Sequence, residues 1–533
     1  MKKQASRLAM LALALTLLFG LLAACSGGAN EPESGADGAN GTDTESAGGA
    51  AEEPMDITWL SFNPPTTDDT PVQQYLEEKY NIRITNIRID RASWNDQLNP
   101  KLAAQEIPDV FFMWSDRDIN NYARQGLLRE IPLDSIREAM PQYAADVDDI
   151  DPMLWSSGQV DGKNYALPQY FFSGSLPFVP AYNGKWLKAI GRDEAPKTLE
   201  EFEDVIRQFT TEDPDGNGRD DTYGISSNFK DGSTNAFNEV FAAFGIQPFM
   251  WIENEAGELE YGLVTEQARQ AFKKLHAWME AGWIDPEYIT SDTAKHRNDF
   301  VNGKYGVFSN MYYVANPVNG AVGKPFTEKD PANEIVMGPV LQNIDGSPGA
   351  GYSWGVKNNF IGLGIGVDDA KAAKLLEIFN DLYSDEETYL KTVYGFEGES
   401  YDMVDGVPQL YPEYTDPVQR GAQLGAGSYY GLFGSKAIGM AKYDSTKEDI
   451  AFRDKYTEGQ PAISNKVTFN LPSGVDYPDL SKIQVEYFVK LVSGEVNTGS
   501  GFDDFVALWK RSGGEVLTEE ANEIYASLKA QAN

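Results

Sequence analysis

A short acidic stretch that starts at Asp213 has the residue types and the spacing that suit a calcium ion. Counted from Asp213, oxygen-bearing side chains stand at positions 1, 3, 5 and 9, which are Asp213, Asp215, Asn217 and Asp221. Glycine stands at position 6, and Arg219 at position 7 can offer its backbone carbonyl. Because Ca²⁺ takes six or more oxygens, side chains at this spacing can converge on one ion. We expect these five residues to form a structural calcium site.

The stretch departs from an EF-hand loop at position 12, which is Gly224 where an EF-hand has glutamate. An acid at position 9 or 10 can close such a loop instead; Asp221 fits this role, and Thr222 is a weaker ligand. Asp220 adds charge and is not an expected ligand. The alternative interpretation is a polar turn of Asp, Gly and Asn that binds no ion.

Cys25, the only cysteine of the 533-residue chain, ends a segment with the features of an export signal. Lys2, Lys3 and Arg7 precede an apolar run from Leu8 to Leu22, and small residues follow the run. The run has about 15 residues, fewer than the roughly 20 that a membrane-spanning helix needs. A thiol is also the side chain best suited to alkylation.

The string Leu22-Ala23-Ala24-Cys25 resembles the lipobox of bacterial lipoproteins. That resemblance implies a signal peptide of residues 1–24 and a diacylglycerol on the Cys25 thiol, since two acyl chains suffice for stable anchoring. Residues 25–54 then form the lipidated cysteine and a flexible tether, because this segment has too few apolar residues to fold. An ordinary secretory signal with an incidental cysteine is the alternative.

Composition restricts the chemistry open to the rest of the chain. With no cysteine after Cys25, the remainder has neither disulfides nor thiol chemistry. Its two histidines, His276 and His296, stand in no spaced metal cluster, which argues against zinc and against Ser-His or Cys-His catalysis. A net charge of −37 repels phosphate backbones, so no nucleic-acid partner is expected.

The part of the chain after residue 54 opens with alternating strand and helix patterns. Residues 55–62, 82–89 and 109–113 have strand patterns, and residues 72–80 and 98–105 between them have helical spacing. This order predicts an α/β fold with a largely parallel sheet that carries helices on its faces. Capping signals and apolar spacing predict further helices at 198–209, 265–279, 370–382 and 519–530.

Several short strings follow one another along the chain. They are Gln105-Glu-Ile-Pro-Asp-Val-Phe111, Asp161-Gly-Lys-Asn-Tyr-Ala-Leu-Pro168, Tyr182-Asn183, Pro196-Lys-Thr-Leu-Glu-Glu-Phe202 and Asp299-Phe-Val-Asn-Gly-Lys-Tyr-Gly-Val-Phe308. In this order they resemble segments of the extracellular solute-binding proteins of ABC importers. Tyr394-Gly-Phe-Glu397-Gly followed by Asp405-Gly406 is similar to a stretch of the oligosaccharide-binding branch, which includes binders of alginate oligosaccharides and xylan fragments. The resemblance covers residues 55–410, and residues 411–533 match only in general character.

The resemblance implies a two-lobed α/β fold like that of periplasmic binding proteins, with a hinged central cleft. Two lobes also suit the chain length, since single cores stop growing near ~250–300 residues. We expect lobe 1 to comprise residues 55–170 and 355–425, and lobe 2 residues 171–354 and 426–533. The resemblance further implies a monomeric, non-enzymatic protein on the extracellular face of a Gram-positive-type cell membrane. There it would pass an oligosaccharide, with or without uronates, to ABC importer permease subunits.

A sugar cleft needs aromatic rings beside carboxylates, amides and arginines, because sugars present flat C–H faces and hydroxyl groups. We take candidates from loops that follow strands, where open parallel sheets bind ligands, and from a Gly-rich crossing near residue 352. Glu397, with Tyr401 nearby, comes from the family resemblance. The candidate ligand contacts are Trp59, Asn63, Trp114, Asp116, Arg117, Tyr352, Trp354, Glu397 and Tyr401.

Two other functions fit parts of the pattern. A cell-surface glycoside hydrolase or lyase would also be secreted, acidic and aromatic, and needs two carboxylates about 5 Å or roughly 6.5–9.5 Å apart. The 81 acidic residues do not exclude such a pair. A surface adhesin or sensor accessory would share the fold and differ in its partner.

Overall fold

The computed structural model describes residues 53–532, apart from residues 231 and 435–436. The predicted signal peptide, Cys25 and most of the tether lie outside the described residues, so these remain predictions. Within the described range, no helix combines the length and the apolar character needed to cross a membrane.

Strands and helices alternate along most of the chain. The strands are β1 (Met55–Leu60), β2 (Ile82–Asn86), β3 (Val110–Met113), β4 (Gln159–Val160), β5 (Lys163–Asn164), β6 (Ala166–Tyr170), β7 (Val179–Asn183), β8 (Tyr223–Ile225), β9 (Trp251–Glu253), β10 (Leu259–Tyr261), β11 (Tyr305–Asn310), β12 (Ile335–Met337), β13 (Gly351–Tyr352), β14 (Lys357–Leu363), β15 (Tyr401–Val404), β16 (Val407–Leu410) and β17 (Ala462–Ile463). The helices are α1 (Pro71–Tyr80), α2 (Trp94–Ala103), α3 (Asp116–Arg124), α4 (Leu133–Ala139), α5 (Pro141–Ile150), α6 (Leu154–Ser157), α7 (Gly184–Ala189), α8 (Leu199–Thr211), α9 (Asn238–Ala243), α10 (Glu266–Glu280), α11 (Thr293–Val301), α12 (Gly323–Lys329), α13 (Asp369–Ser384), α14 (Glu386–Val393), α15 (Pro417–Leu424), α16 (Lys447–Thr457), α17 (Leu480–Ser493), α18 (Ser500–Trp509) and α19 (Glu515–Ala532).

Sheet 1 has five strands in the order β2-β1-β3-β14-β6. β1 pairs in parallel with β2 and β3, which confirms the predicted β-α-β-α-β opening. β14 is antiparallel to both β3 and β6, so the carboxyl ends of β1, β3 and β6 share one edge with the start of β14. The α/β fold class is therefore confirmed.

Sheet 2 has four strands in the order β12-β7-β11-β8. β7 is antiparallel to β11 and β12, and β11 is parallel to β8. The carboxyl ends of β8, β11 and β12 consequently lie at the end of the sheet where β7 begins. α8 and α10 pack beside this sheet, and Thr198 and Thr265 cap them as the sequence predicts.

Each sheet is covered by its own hydrophobic cores, which defines two lobes. Trp59 and Phe379 belong to a core of sheet 1, and Phe202 and Trp278 belong to a core of sheet 2. The predicted boundary at 425/426 disagrees with this packing, because Tyr430, Phe433 and other residues as far as Tyr443 pack with sheet 1. No local pattern in the sequence marks residues 426–443 as part of lobe 1. The exact lobe boundaries stay a prediction, and we move this one beyond residue 443.

Three segments cross between the lobes side by side: residues 171–178, 353–356 and 464–470. Backbone hydrogen bonds join the first two, from Phe171 N to the Val356 carbonyl and from Gly355 N to the Gly174 carbonyl. The approach requires glycine, because a Cβ on Gly174 would lie 2.4 Å from the Gly355 oxygen. The third segment joins the second through the hydroxyl groups of Ser464 and Ser353, which lie 2.7 Å apart. The crossings therefore form one hydrogen-bonded hinge.

Candidate functional site

The loops at the carboxyl ends of the strands in both sheets face the three crossings. β6 runs directly into the first crossing, which leads to the start of β7. The carboxyl end of β11 pairs with that start, since Asn310 lies opposite Val179. We call these two sheet edges and the crossings between them the cleft. Open α/β sheets bind ligands at such carboxyl edges.

Three large aromatic side chains are exposed among the described residues, and all of them lie at the cleft. Phe172 is 54% exposed in the first crossing and Trp354 is 45% exposed in the second. Tyr313 follows β11 and is 38% exposed. The Trp354 ring is supported by Phe178, with ring centroids 5.2 Å apart. Aromatic ring faces that remain exposed to water cost an unliganded protein free energy. Such faces are suited to stacking on sugar rings.

A second aromatic surface lies on the sheet 1 edge of the cleft. The predicted contact Trp114 is half-buried against Phe62, with ring centroids 5.2 Å apart. The Arg91 guanidinium lies 4.8 Å from the Trp114 ring centroid, a cation–π distance. Arg91 makes no ion pair with a described acidic residue, so its charge is available at this edge.

Two further predicted residues begin α3 at the same edge. The Asp116 carboxylate forms an ion pair with Lys357, at 2.8 Å, and both side chains are about a quarter exposed. Arg117 is exposed, and its guanidinium has no ion-pair partner among the described residues. In a chain with a net charge of −37, Arg117 therefore leaves a positive charge without a carboxylate partner beside the cleft.

A cavity of about 350 Å³ lies between the lobes and is lined by Asp116, Arg117 and Lys357 from lobe 1. Trp251, Tyr261, Tyr477 and Trp509 line it from lobe 2. The volume is within the ~300–1,000 Å³ typical of ligand cavities. The buried indole N–H of Trp509 has no hydrogen-bond partner within the described residues, so it offers the cavity an unused donor.

The structure corrects three of the predicted ligand contacts. Trp59 is fully buried inside β1, and its indole donates to the Tyr429 carbonyl at 2.8 Å. Tyr352 is 2% exposed in β13, where its hydroxyl lies 3.1 Å from Thr234 Oγ1. Tyr401 is 3% exposed in the β15–β16 hairpin. Buried rings cannot present a face to a ligand, so these residues support the fold.

Two predicted contacts stay untested by the geometry. Glu397 is exposed next to the β15–β16 hairpin and does not line the cavity between the lobes. Asn63 follows β1 in a left-handed conformation with φ 58 and is half-buried against Gly421.

Sequence reasoning missed Phe172, Tyr313, Arg91 and Lys357. A usable signal existed for the two aromatics, since Phe172 follows β6 and Tyr313 follows β11, the same position that identified Trp114 after β3. Lys357 carries no such signal, because its approach to Asp116 joins residues 241 positions apart.

One buried acid lies near the sheet 2 edge. Glu239 is 8% exposed in α9, and burial raises its pKa to about 7, against a smaller opposing effect of its own backbone N–H. The neighbouring Asn238 accepts a hydrogen bond from Ser309 in β11. Because the folded-state pKa lies above the ordinary 4.5, the folded protein loses stability as the pH rises from about 4 to about 7.

Glu239→Gln, which resembles the protonated acid, is expected to stabilise the protein at pH 8 by roughly 2 kcal/mol and to change little near pH 4. Urea unfolding at both pH values measures the difference. Glu200→Gln, an exposed change in α8, is the control and should show no such pH dependence. Equal effects of Glu239→Gln at both pH values would contradict the assignment.

The predicted calcium loop connects α8 to β8. The Asp213 carboxylate accepts hydrogen bonds from the backbone N–H groups of Asn217 and Gly218. The Asn217 side-chain amide lies 2.8 Å from Asp215 Oδ2 and 3.0 Å from Asp221 Oδ1. Burial, and then the nearby Asp213 and Asp221 carboxylates, raise the pKa of Asp215. The side chains at positions 1, 3, 5 and 9 thus converge. Without a cation, their carboxylates repel one another, which destabilises the loop.

The donor set fits a hard cation. Rotating the Asn217 amide would place its oxygen where its nitrogen lies, which gives oxygen donors throughout. The structure also explains the departure at position 12. Gly224 is inside β8, and a Cβ there would lie 2.5 Å from Ile206 Cβ of α8, so this site has no room for glutamate.

A second carboxylate group, formed by Asp285, Glu287 and Asp299, was not predicted from the sequence. The Lys304 ammonium lies 2.6 Å from Glu287 and 3.0 Å from Asp285, and Lys295 pairs with Glu287 and Asp299. These lysines supply the positive charge that a metal would supply. We interpret the group as an ion-pair network beside β8 and β11.

The chain is similar to known proteins in both sequence and fold. The family model for bacterial extracellular solute-binding proteins matches residues 63–430, more than half of the chain. Lipoprotein LipO of Bacillus subtilis is 26% identical over 520 residues, which cover 92% of this chain and 96% of LipO. The polygalacturonan/rhamnogalacturonan-binding protein YtcQ of the same organism is 23% identical over 502 residues, with the same two coverages.

Among solved structures, the chain resembles an EF-hand mutant of the ABC-transporter substrate-binding protein FusA of Streptococcus pneumoniae, in complex with fructo-nystose. The TM-score is 0.63 at 19% identity, covering 90% of this chain and 100% of that chain. At this identity the likeness shows the fold, and it confirms the predicted two-lobed architecture.

Proposed function

The chain belongs to the bacterial extracellular solute-binding protein family, and from that premise we propose that it captures an oligosaccharide in the cleft and delivers it to an ABC importer. Membership of a family of binding proteins supports this reading over the hydrolase or lyase. The observation that carries the sugar assignment is the set of exposed rings of Phe172, Tyr313 and Trp354 at one cleft.

We further propose that the ligand carries carboxylates, as uronate oligosaccharides do. Arg91 and Arg117 face the cleft without acidic partners, and Lys357 stands beside them. A neutral sugar would give no reason to keep the two arginine charges unpaired, whereas Lys357 is already paired with Asp116. That the relative YtcQ is named for binding polygalacturonan, a uronate polymer, is consistent with this assignment.

A thermal-shift panel of neutral, uronate and amino-sugar oligomers tests the proposal. We expect a galacturonate oligomer to raise the melting temperature and to bind in one-to-one stoichiometry by calorimetry. Mass spectrometry over hours should recover the oligomer uncut, whereas cleavage would point to the hydrolase. If no sugar in the panel stabilises the protein, the proposed function is wrong. Stronger binding to immobilised polymer than to short oligomers would favour an adhesin.

We propose that lipid on Cys25 holds the protein at the outer face of the cell membrane and that the tether to residue 54 lets it dock with the permease subunits. Support comes from the lipobox pattern and from the resemblance to a protein named as a lipoprotein. Replacing Cys25 with serine should release the protein into the medium, as fractionation and immunoblotting would show.

We propose that the loop from Asp213 to Asp221 binds structural Ca²⁺. Chelation should lower the melting temperature of the wild type, because the carboxylates then repel one another; Asp215→Ala should remove this sensitivity to chelator. Asp220→Ala in the same loop is the matched control and should leave it intact. Equal sensitivity of wild type and Asp215→Ala would exclude the site.

A further inference from the structure

A second cavity, of about 760 Å³, lies on the outer face of lobe 1 between α2 and α3. Both helices follow parallel strands of sheet 1, so each begins at the cleft edge and runs away from it. Leu102, Tyr122 and Leu127 are its most buried lining residues. We call this cavity the amide groove, because five carboxamide side chains line it, namely Asn95, Asn99, Gln105, Asn121 and Gln125.

The spacing explains how the amides gather. Asn95 and Asn99 are four residues apart on α2, and Asn121 of α3 is four residues before the C-cap residue Gln125, so each pair lies on one side of its helix. In the described part of the chain, none of the five carboxamides is hydrogen-bonded through its side chain to another residue. Gln105 also holds its backbone at φ 63, a left-handed conformation that costs roughly 1 kcal/mol more for glutamine than for glycine.

The groove shares one lining residue with the cavity between the lobes. Arg117, in the first turn of α3, lines both cavities. The cavity between the lobes, at about 350 Å³, is at the small end of the ~300–1,000 Å³ range of ligand sites. An oligomer longer than a few rings must extend out of this cavity. An oligomer that leaves the cavity beside Arg117 reaches the groove.

The lining suits a sugar chain better than other ligands. A carboxamide both donates and accepts hydrogen bonds, as a hydroxyl does, and it is neutral. The chain has 81 acidic residues, yet among the described residues Asp118 is the one acid that lines the groove. That carboxylate is engaged by the backbone N–H groups of Trp114 and Ser115. The groove is therefore a nearly neutral path on an acidic surface, which an anionic oligomer can occupy without strong repulsion.

We propose that the amide groove is an extension subsite that holds the part of a long oligosaccharide that projects from the cleft past Arg117. This rests on the proposed function, since it assigns a preference for long over short oligomers to the same binding protein. The groove's amides then add affinity only for oligomers long enough to leave the cavity between the lobes.

The test compares short and long ligands on matched variants. Calorimetry is run with galacturonate dimer and hexamer and, in parallel, with cellobiose and cellohexaose. The variant is Asn99→Ala/Gln125→Ala, which should fold, because alanine favours helix formation. The control is Gln74→Ala, an exposed amide on α1 at the opposite face of sheet 1.

For the sugar series that binds, we expect the wild type to prefer the hexamer and the double variant to lose about tenfold in hexamer affinity, with dimer affinity unchanged. Gln74→Ala should change neither. Unchanged hexamer affinity in the double variant would overturn the proposal, because the groove would then bind no part of the ligand. An equal loss of affinity for dimer and hexamer would also overturn it. If the wild type binds no oligomer of either series, the extension subsite is rejected for these sugars; the proposed function itself fails only if no sugar of the wider thermal-shift panel stabilises the protein.

Discussion

Arg117→Ala is expected to weaken binding of a galacturonate oligomer by about a hundredfold, because it removes the unpaired guanidinium at the junction of the two cavities. A carboxylate that enters a partly desolvated cleft must be paired with a cation or lose much of its hydration energy. Asp116 and Lys357 already neutralise each other at 2.8 Å, so they replace Arg117 poorly. Titration calorimetry at low and physiological salt measures the loss.

Two control variants make the result specific. Arg124→Ala removes an exposed charge from the last turn of the same helix and should change affinity little. Arg117→Lys keeps the charge but cannot form the paired hydrogen bonds of a guanidinium, so it should recover only part of the affinity. Full uronate affinity in Arg117→Ala would exclude this residue as the carboxylate contact and would favour a neutral ligand.

Trp59→Ala is expected to cost about 3–5 kcal/mol in the free energy of unfolding. The Trp59 ring packs edge-on against Phe379 and Tyr430, with centroids 6.4 and 5.8 Å away. Its indole N–H also donates to the Tyr429 carbonyl, and Tyr429 in turn donates to the Trp59 carbonyl. The substitution leaves a cavity and an unpaired Tyr429 carbonyl where the segment before Tyr443 packs on sheet 1. Urea unfolding followed by circular dichroism measures the loss.

Trp354→Ala is the matched tryptophan control, because this ring is 45% exposed at the cleft. It should change stability by less than about 1 kcal/mol and reduce oligosaccharide binding. Trp59→Ala should show the reverse, with normal binding by the fraction that remains folded. If Trp59→Ala lost binding while keeping its stability, the original assignment of Trp59 as a ligand contact would be restored.

Local patterns were sufficient for most of the fold. The helices after Thr198 and Thr265 begin at the predicted caps, since a capping side chain acts on backbone N–H groups two or three residues away. The lobe boundary near residue 425 was not predictable in this way. The segment after residue 425 is held in lobe 1 by a hydrogen bond between Trp59 and Tyr429, which are 370 positions apart. No local spacing encodes such a pairing.

The candidate site could likewise be predicted only where local patterns determine it. The rule that ligands bind after strand ends identified Trp114 and Arg117 correctly as cleft residues, because both follow β3. The rule failed for Trp59, which lies inside β1, and the Gly-rich crossing that also pointed to Trp354 failed for Tyr352, whose ring is buried in β13. Whether Trp114 and Arg117 contact the ligand remains a prediction that the variants above test.

The third crossing has a consequence for how fast the protein exchanges its cargo. Asn470 exchanges side-chain hydrogen bonds with Asn120 of α3, and Thr468 donates to Asp151, so this segment is tied to lobe 1. Trp251 N donates to Asn465 Oδ1, and Lys466 N donates to the Trp251 carbonyl, which tie the same segment to lobe 2. A rotation of the lobes that moved residues 465–470 as one rigid piece would have to break one of these sets, whereas bending at residue 467 would keep both. Asn120, Asn465 and Asn470 also line the cavity between the lobes, so a substitution in these amides is expected to change both how tightly a ligand is held and how long it stays bound.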